Sequence, residues 1–157
     1  MIPHWDHLGG IRTAIDEGAT IITHETNRIF LERAANARFT IEPDRLSRSR
    51  KRLKLETVRA ERTLADGKRS IKLYTMIGFD HTDDMLLIYL PKERILAEAD
   101  AYTPTATPAT PLIAPKVPYA AALYDNIRRL KLDVETIAPF HGLRTATMAE
   151  LADQTRS

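Results

Sequence analysis

The 157-residue chain has no cysteine, which excludes disulfide scaffolds, thiolate metal sites and cysteine nucleophiles. Any transition-metal site must then use histidine with aspartate or glutamate. No apolar run approaches the length that crosses a bilayer. The first residues also lack the basic region and apolar stretch of a secretory signal. A cytoplasmic location is therefore expected, and no membrane partner. Excess charge of one sign is nearly absent, at a formal +2, although the charge is unevenly spread. What remains, 43% hydrophobic and 28% charged residues, is the composition of a globular protein with enough chain for one core.

Strand-like and helix-like stretches intermix, which places the chain in the α/β (α+β) class. After "MIPHWDHLGG", helical spacing of Ile11, Ala14 and Ile15 predicts a helix that Gly18 stops. A buried strand is expected at Thr20–Thr23, and "NRIFLERAANA" reads as a second helix. Pro43 and the serines of "RFTIEPDRLSRSRKRLK" predict a loop. Strands follow at Leu55–Val58 and Ile71–Ile77, with "ADG" at 65–67 as the turn between them. "MLLIYLPKERILAEAD" reads as a hairpin turning at "PKER". Residues 102–118, rich in Pro, Thr and Ala, predict an extended surface loop. "YAAALYDNIRRLKLD" carries Tyr119, Leu123, Ile127 and Leu130 on one helical stripe. A short strand, "TIAPF", and a closing helix, "ATMAELADQ", complete the reading.

The five histidines are His4, His7, His24, His81 and His141. Four of them fall in turns or where a strand runs out, as does Asp100 at the end of "LAEAD". Loops at one edge of a sheet are where such folds gather functional groups from distant parts of the chain. A lone histidine at a strand end is usually a surface or hydrogen-bonding residue. The ordered series H-x-D-H, G-x-x-H, E-A-D and H-G is far more specific. His24 fits none of these motifs and is expected to be a polar strand-end residue. Asp83 and Asp84 read as turn residues or as partners that orient His81. Trp5 reads as core or site lining.

"HWDHLGG", "GFDHTDDMLLIYLP", "ILAEAD" and "PFHG" resemble successive motifs of the metallo-β-lactamase-fold hydrolases. That resemblance implies a four-layer αββα sandwich. It matches Asp6, His7 and His141 to the second metal position and Asp100 to the carboxylate that bridges two metals. His4 and His81 match two of the three histidines of the first position, where Ile2 stands in place of the third. Catalytic roles are expected of Asp6 and Asp100, and the implied cofactor is zinc, one ion firmly bound and a second weakly or not at all. Zinc in such a site lowers the pKa of bound water to about 7. The implied reaction is hydrolysis of an ester, amide, lactam, thioester or phosphoester.

The resembling stretch runs to about Leu143 and corresponds to the later part of a typical family domain. The expectation is a single partial domain over residues 1–157 with N-terminal strands missing and an apolar face uncovered. Association into a homo-oligomer, or with a complementing chain, is then expected. The alternatives are a catalytically inactive remnant or interaction module of the same fold, or a polyanion binder. The last rests on residues 45–72, where eleven Lys or Arg face three acidic residues. That stretch lacks interleaved aromatics for base stacking, so a solvated connection is the simpler reading and nucleic acid is not an expected partner.

Overall fold

A computed structural model describes residues 4–105 and 118–155. Two compact units emerge, Met1–Arg59 and Ala60–Ser157.

The first unit begins with a helical turn, α1 (Trp5–Leu8), which takes in Asp6 and His7 of the H-x-D-H tetrapeptide, while His4 caps it in extended conformation. The tetrapeptide therefore opens a helical turn rather than ending a strand. Gly9 and Gly10 continue in right-handed helical conformation into α2 (Ile11–Asp16). Gly18 (φ +86°) comes next, a left-handed conformation that glycine adopts without strain. Strand β1 (Thr20–His24) and a short 3-10 turn lead into α3 (Arg28–Asn36). The expected loop after it contains a further helix, α4 (Arg45–Ser49). Asp44 caps that helix, its side chain accepting the Ser47 N–H at 2.8 Å. Arg50 closes it in left-handed conformation, φ 56°. The local cap outweighs the serines and Pro43 that argued for a loop.

Strand β2 (Lys54–Val58) pairs in parallel with β1, from Thr20 opposite Lys54 to His24 opposite Val58. Leu8, Ile15, Ile21, Leu31 and Leu46 form this unit's core. Arg12 ties α2 to the end of α3 and the start of α4. Its guanidinium spans both oxygens of Asp44, at 2.5 and 2.9 Å. It also donates to Ala34 O at 2.6 Å, Ala35 O at 3.2 Å and Ser47 Oγ at 3.0 Å. The Arg12 and Ser47 bonds hold the Asp44 carboxyl well below the usual carboxylate range.

The second unit is built on a six-stranded sheet in the order β3-β4-β5-β6-β7-β8. Strand β3 (Glu61–Ala65) was not expected from the sequence. Its alternate positions are only half-buried, so the period-2 signal is weak. The "ADG" turn joins β3 to β4 (Ser70–Thr75), with the Asp66 side chain accepting the Lys68 and Arg69 amides. The expected hairpin is present as β5 (Leu86–Leu90) and β6 (Ile95–Glu98). Helix α5 (Pro118–Arg129) buries Leu123 and Ile127. Strand β7 (Thr136–Pro139) lies parallel to β6, the two-residue β8 (Ala146–Thr147) pairs with β7, and α6 (Met148–Thr155) packs with α5.

Asn126, in α5, is buried among these elements. Its side chain accepts the Ile77 N–H at 3.1 Å and donates to Ile77 O at 2.8 Å. It thereby substitutes for a sheet partner at the residue where the chain has left β4. Of the Pro-rich stretch, residues 106–117 lie outside the described residues. Tyr102, at its start, is buried and not on the surface, its hydroxyl accepting from Gln154. No described helix is long and apolar enough to cross a membrane.

Candidate metal centre

The second unit gathers three of the candidate ligands by strand order alone. His81 lies in the connection that enters β5, Asp100 lies two residues past β6, and His141 lies two residues past β7. Strands β5, β6 and β7 are neighbours, with β5–β6 antiparallel and β6–β7 parallel. The entry to β5 and the exits of β6 and β7 therefore share one sheet edge. There the Asp100 carboxylate meets His141 Nε2 at 2.9 Å through one oxygen and His81 Nε2 at 3.3 Å through the other. The aspartate side chain is 13% exposed, whereas both imidazoles reach solvent. A largely dehydrated carboxylate between two imidazoles is a donor set suited to a divalent cation, and zinc, iron and manganese all accept it.

Two local features hold this edge. Gly142 comes after His141 at φ +119°, in a region that only glycine occupies readily, and a Cβ there would meet Pro104 Cδ at 3.3 Å. Glu98, at the end of β6, is 2% exposed and folds the segment bearing Asp100. Its Oε2 accepts the amides of Ala101 at 2.7 Å and Tyr102 at 3.3 Å. Burial pushes its carboxyl up to about 7 against the lowering effect of those two amides, and the nearby Asp100 adds to the rise. Its Oε1 is buried with no hydrogen-bond partner among the described residues.

His81 also packs against two rings, Phe79 at 5.7 Å and Tyr119 at 5.5 Å between centroids. Tyr119 was expected to serve only the apolar stripe of its helix. Glu98 went unnoticed in the sequence, although an acid at an inward position of a strand, two residues after Leu96, is itself a signal. Asp84 is buried and accepts a hydrogen bond from the Thr82 hydroxyl, which makes it part of the turn around His81.

The remaining candidates, His4, Asp6 and His7, lie at and just before α1 in the first unit. His4 precedes the turn, and its ring lies 6.4 Å from that of His7. His7 Nε2 lies 3.7 Å from Asp6 Oδ2, with the His7 side chain buried and that of Asp6 more than a third exposed. His24 ends β1 as expected. It is buried, and its Nδ1 lies 2.8 Å from Thr26 Oγ1. Ile2 and the Trp5 side chain lie outside the description.

No family model and no curated protein matches the sequence. Solved structures do match. A metallo-beta-lactamase from Pontibacter korlensis is 23% identical, with a TM-score of 0.63 over 97% of this chain and 63% of its own. The rubredoxin oxygen:oxidoreductase of Desulfovibrio gigas is 17% identical, with a TM-score of 0.66 over 98% of this chain and 41% of its own. The chemotaxis sensor ODP, solved as a peroxy diiron species, is 15% identical, with a TM-score of 0.61 over 95% of this chain and 63% of its own. The chain thus has the metallo-β-lactamase fold, and it spans about three fifths of the length of the first of these structures.

Proposed function

We propose that this chain is a metal-dependent hydrolase whose metal is held at the sheet edge by His81, Asp100 and His141. The motif series of the sequence, by its resemblance, adds His4 beside His81 and Asp6 and His7 beside His141, with Asp100 as the carboxylate common to both sets. The observation that carries the proposal is the Asp100 carboxylate set between His81 and His141 at one sheet edge. The motif order of the sequence and the metal-binding character of the fold both support it. Zinc is the proposed ion. The diiron state named for one structural neighbour makes iron the second candidate.

When bound, the metal supplies water ionisable near neutral pH and a Lewis acid for the scissile oxygen. The chain's own residues do the rest. Asp100 neutralises positive charge at the site and fixes both imidazoles through its two oxygens. Asp6 is assigned the role of accepting a proton from an attacking water on the strength of the sequence motif alone. Phe79 and Tyr119 limit the rotation of His81. Glu98 and Gly142 hold the backbone on either side of Asp100 and His141. One firm and one weak metal position are proposed, since Ile2 stands where the resembling motif has a ligand.

The test is hydrolysis of ester, lactam, thioester and phosphodiester substrates by zinc-loaded and iron-loaded protein, with Asp100→Asn beside the wild type. The expected result is metal-dependent turnover of at least one class, reduced by a hundredfold or more in the variant, about the loss expected for a removed ligand. Turnover that survives in Asp100→Asn contradicts the assignment. Metal binding without turnover of any substrate would identify the chain as an inactive member of the fold.

A further inference from the structure

The first unit contains an open cleft of about 860 Å³ lined entirely by its own residues, from Arg12 on α2 to Leu55 on β2. Six cationic side chains line it against one carboxylate, Glu32. Arg12 is spent on Asp44 and the backbone of α3, and Lys51 donates to Asp16 O. Arg28 is partly engaged, 3.6 Å from Glu32 and 3.3 Å from Thr57 Oγ1. The guanidiniums of Arg38, Arg50 and Arg52 make no hydrogen bond or ion pair among the described residues. Three guanidiniums sharing one cleft, whose lone carboxylate, Glu32, lies beside Arg28, repel one another, and an anion between them relieves that repulsion. Guanidinium groups match phosphate oxygens two at a time, which lysine cannot do.

We propose that this cleft binds a small oligophosphate, a ligand carrying two or more phosphates, independently of the metal centre. The volume lies in the range of small-molecule pockets, roughly 300–1000 Å³. Leu46, Leu53 and Leu55 give the cleft an apolar floor for the body of such a ligand. A nucleic-acid strand fits less well. The one aromatic in the lining, Phe39, has its ring face covered by Arg12 at 4.8 Å. Of the first unit's other basic residues from 45 on, Arg45 pairs with Asp16, Lys54 donates to Gly18 O and Arg59 pairs with Glu25.

Calorimetric titration of the metal-free full chain with inorganic tripolyphosphate tests this. One saturable site is expected, with the same affinity in Asp100→Asn as in the wild type. Each lost guanidinium contact weakens binding by about tenfold. A combined Arg38→Gln, Arg50→Asn and Arg52→Gln variant should therefore bind at least about a hundredfold more weakly. Asparagine is chosen at residue 50 because it tolerates left-handed backbone. Should the triple variant misfold, Arg38→Gln and Arg52→Gln singly should each show about a tenfold loss, while Arg59→Gln shows none. Absence of binding by the wild type, undiminished binding by these arginine variants, or binding lost in Asp100→Asn overturns the proposal. Tighter binding of single-stranded oligothymidylate than of tripolyphosphate, through the same arginines, overturns it in favour of nucleic acid.

Discussion

Replacing Arg12 by methionine keeps the aliphatic stem and removes the guanidinium that joins α2, α3 and α4. Three groups then lose a donor: the carbonyls of Ala34 and Ala35 and the hydroxyl of Ser47. A net value of about 1 kcal/mol for each, with some replacement by water, makes the expected cost about 2 kcal/mol. The bidentate bond to Asp44 adds in the same direction and is best read from pH. The folded-state pKa of Asp44 is depressed by Arg12 and Ser47, so its contribution is present above the unfolded value of 3.8 and is lost as pH falls through the folded value. The difference between wild type and Arg12→Met should therefore be largest near neutrality and shrink below pH 3.8. Urea unfolding followed by tryptophan fluorescence suits the measurement, because the single tryptophan, Trp5, belongs to the same unit. A loss below about 0.5 kcal/mol at pH 7, the range of ordinary surface substitutions, or a difference independent of pH, would refute the clamp.

Other substitutions probe the second unit. Asn126→Leu strands the N–H and C=O of Ile77, and a loss of about 3 kcal/mol is expected in urea unfolding. Gly142→Ala should cost about 2 kcal/mol in thermal unfolding and also weaken metal binding, since the strain falls beside His141. Glu98→Ala leaves the amides of Ala101 and Tyr102 without their acceptor, an expected loss of about 2 kcal/mol, whereas Glu98→Gln keeps an acceptor and should cost less than half of that. Amide exchange at residues 101 and 102 reads the difference directly.

The apolar elements were the legible ones. Helix α2 and the stripe of α5 follow from helical periodicity, and strand β1 and the β5–β6 hairpin from short apolar runs, β5 burying residues on both of its faces. The features that escaped are those fixed by single polar contacts. Helix α4 depends on Asp44 accepting one amide and on Arg50 taking a left-handed turn, neither of which has a period. Strand β3 has no fully buried residue, so its alternation is faint. At the site, the positions of His81, Asp100 and His141 follow from motif order, and the sheet brings the three to one edge. The H-x-D-H tetrapeptide was not legible as the start of a helical turn. Glu98 and Tyr119 carry no motif, and their relation to the candidate ligands arises only when β6 and α5 are in place.

Zinc titration into chelator-stripped protein, with Asp100→Asn and His141→Ala compared with wild type, addresses the central claim that the sheet edge of the second unit holds a metal ion. The expected result is one tight equivalent per chain that either substitution weakens by at least tenfold, since even a partner that only orients a ligand is worth about that much. A tight equivalent fully retained in both variants would contradict the claim.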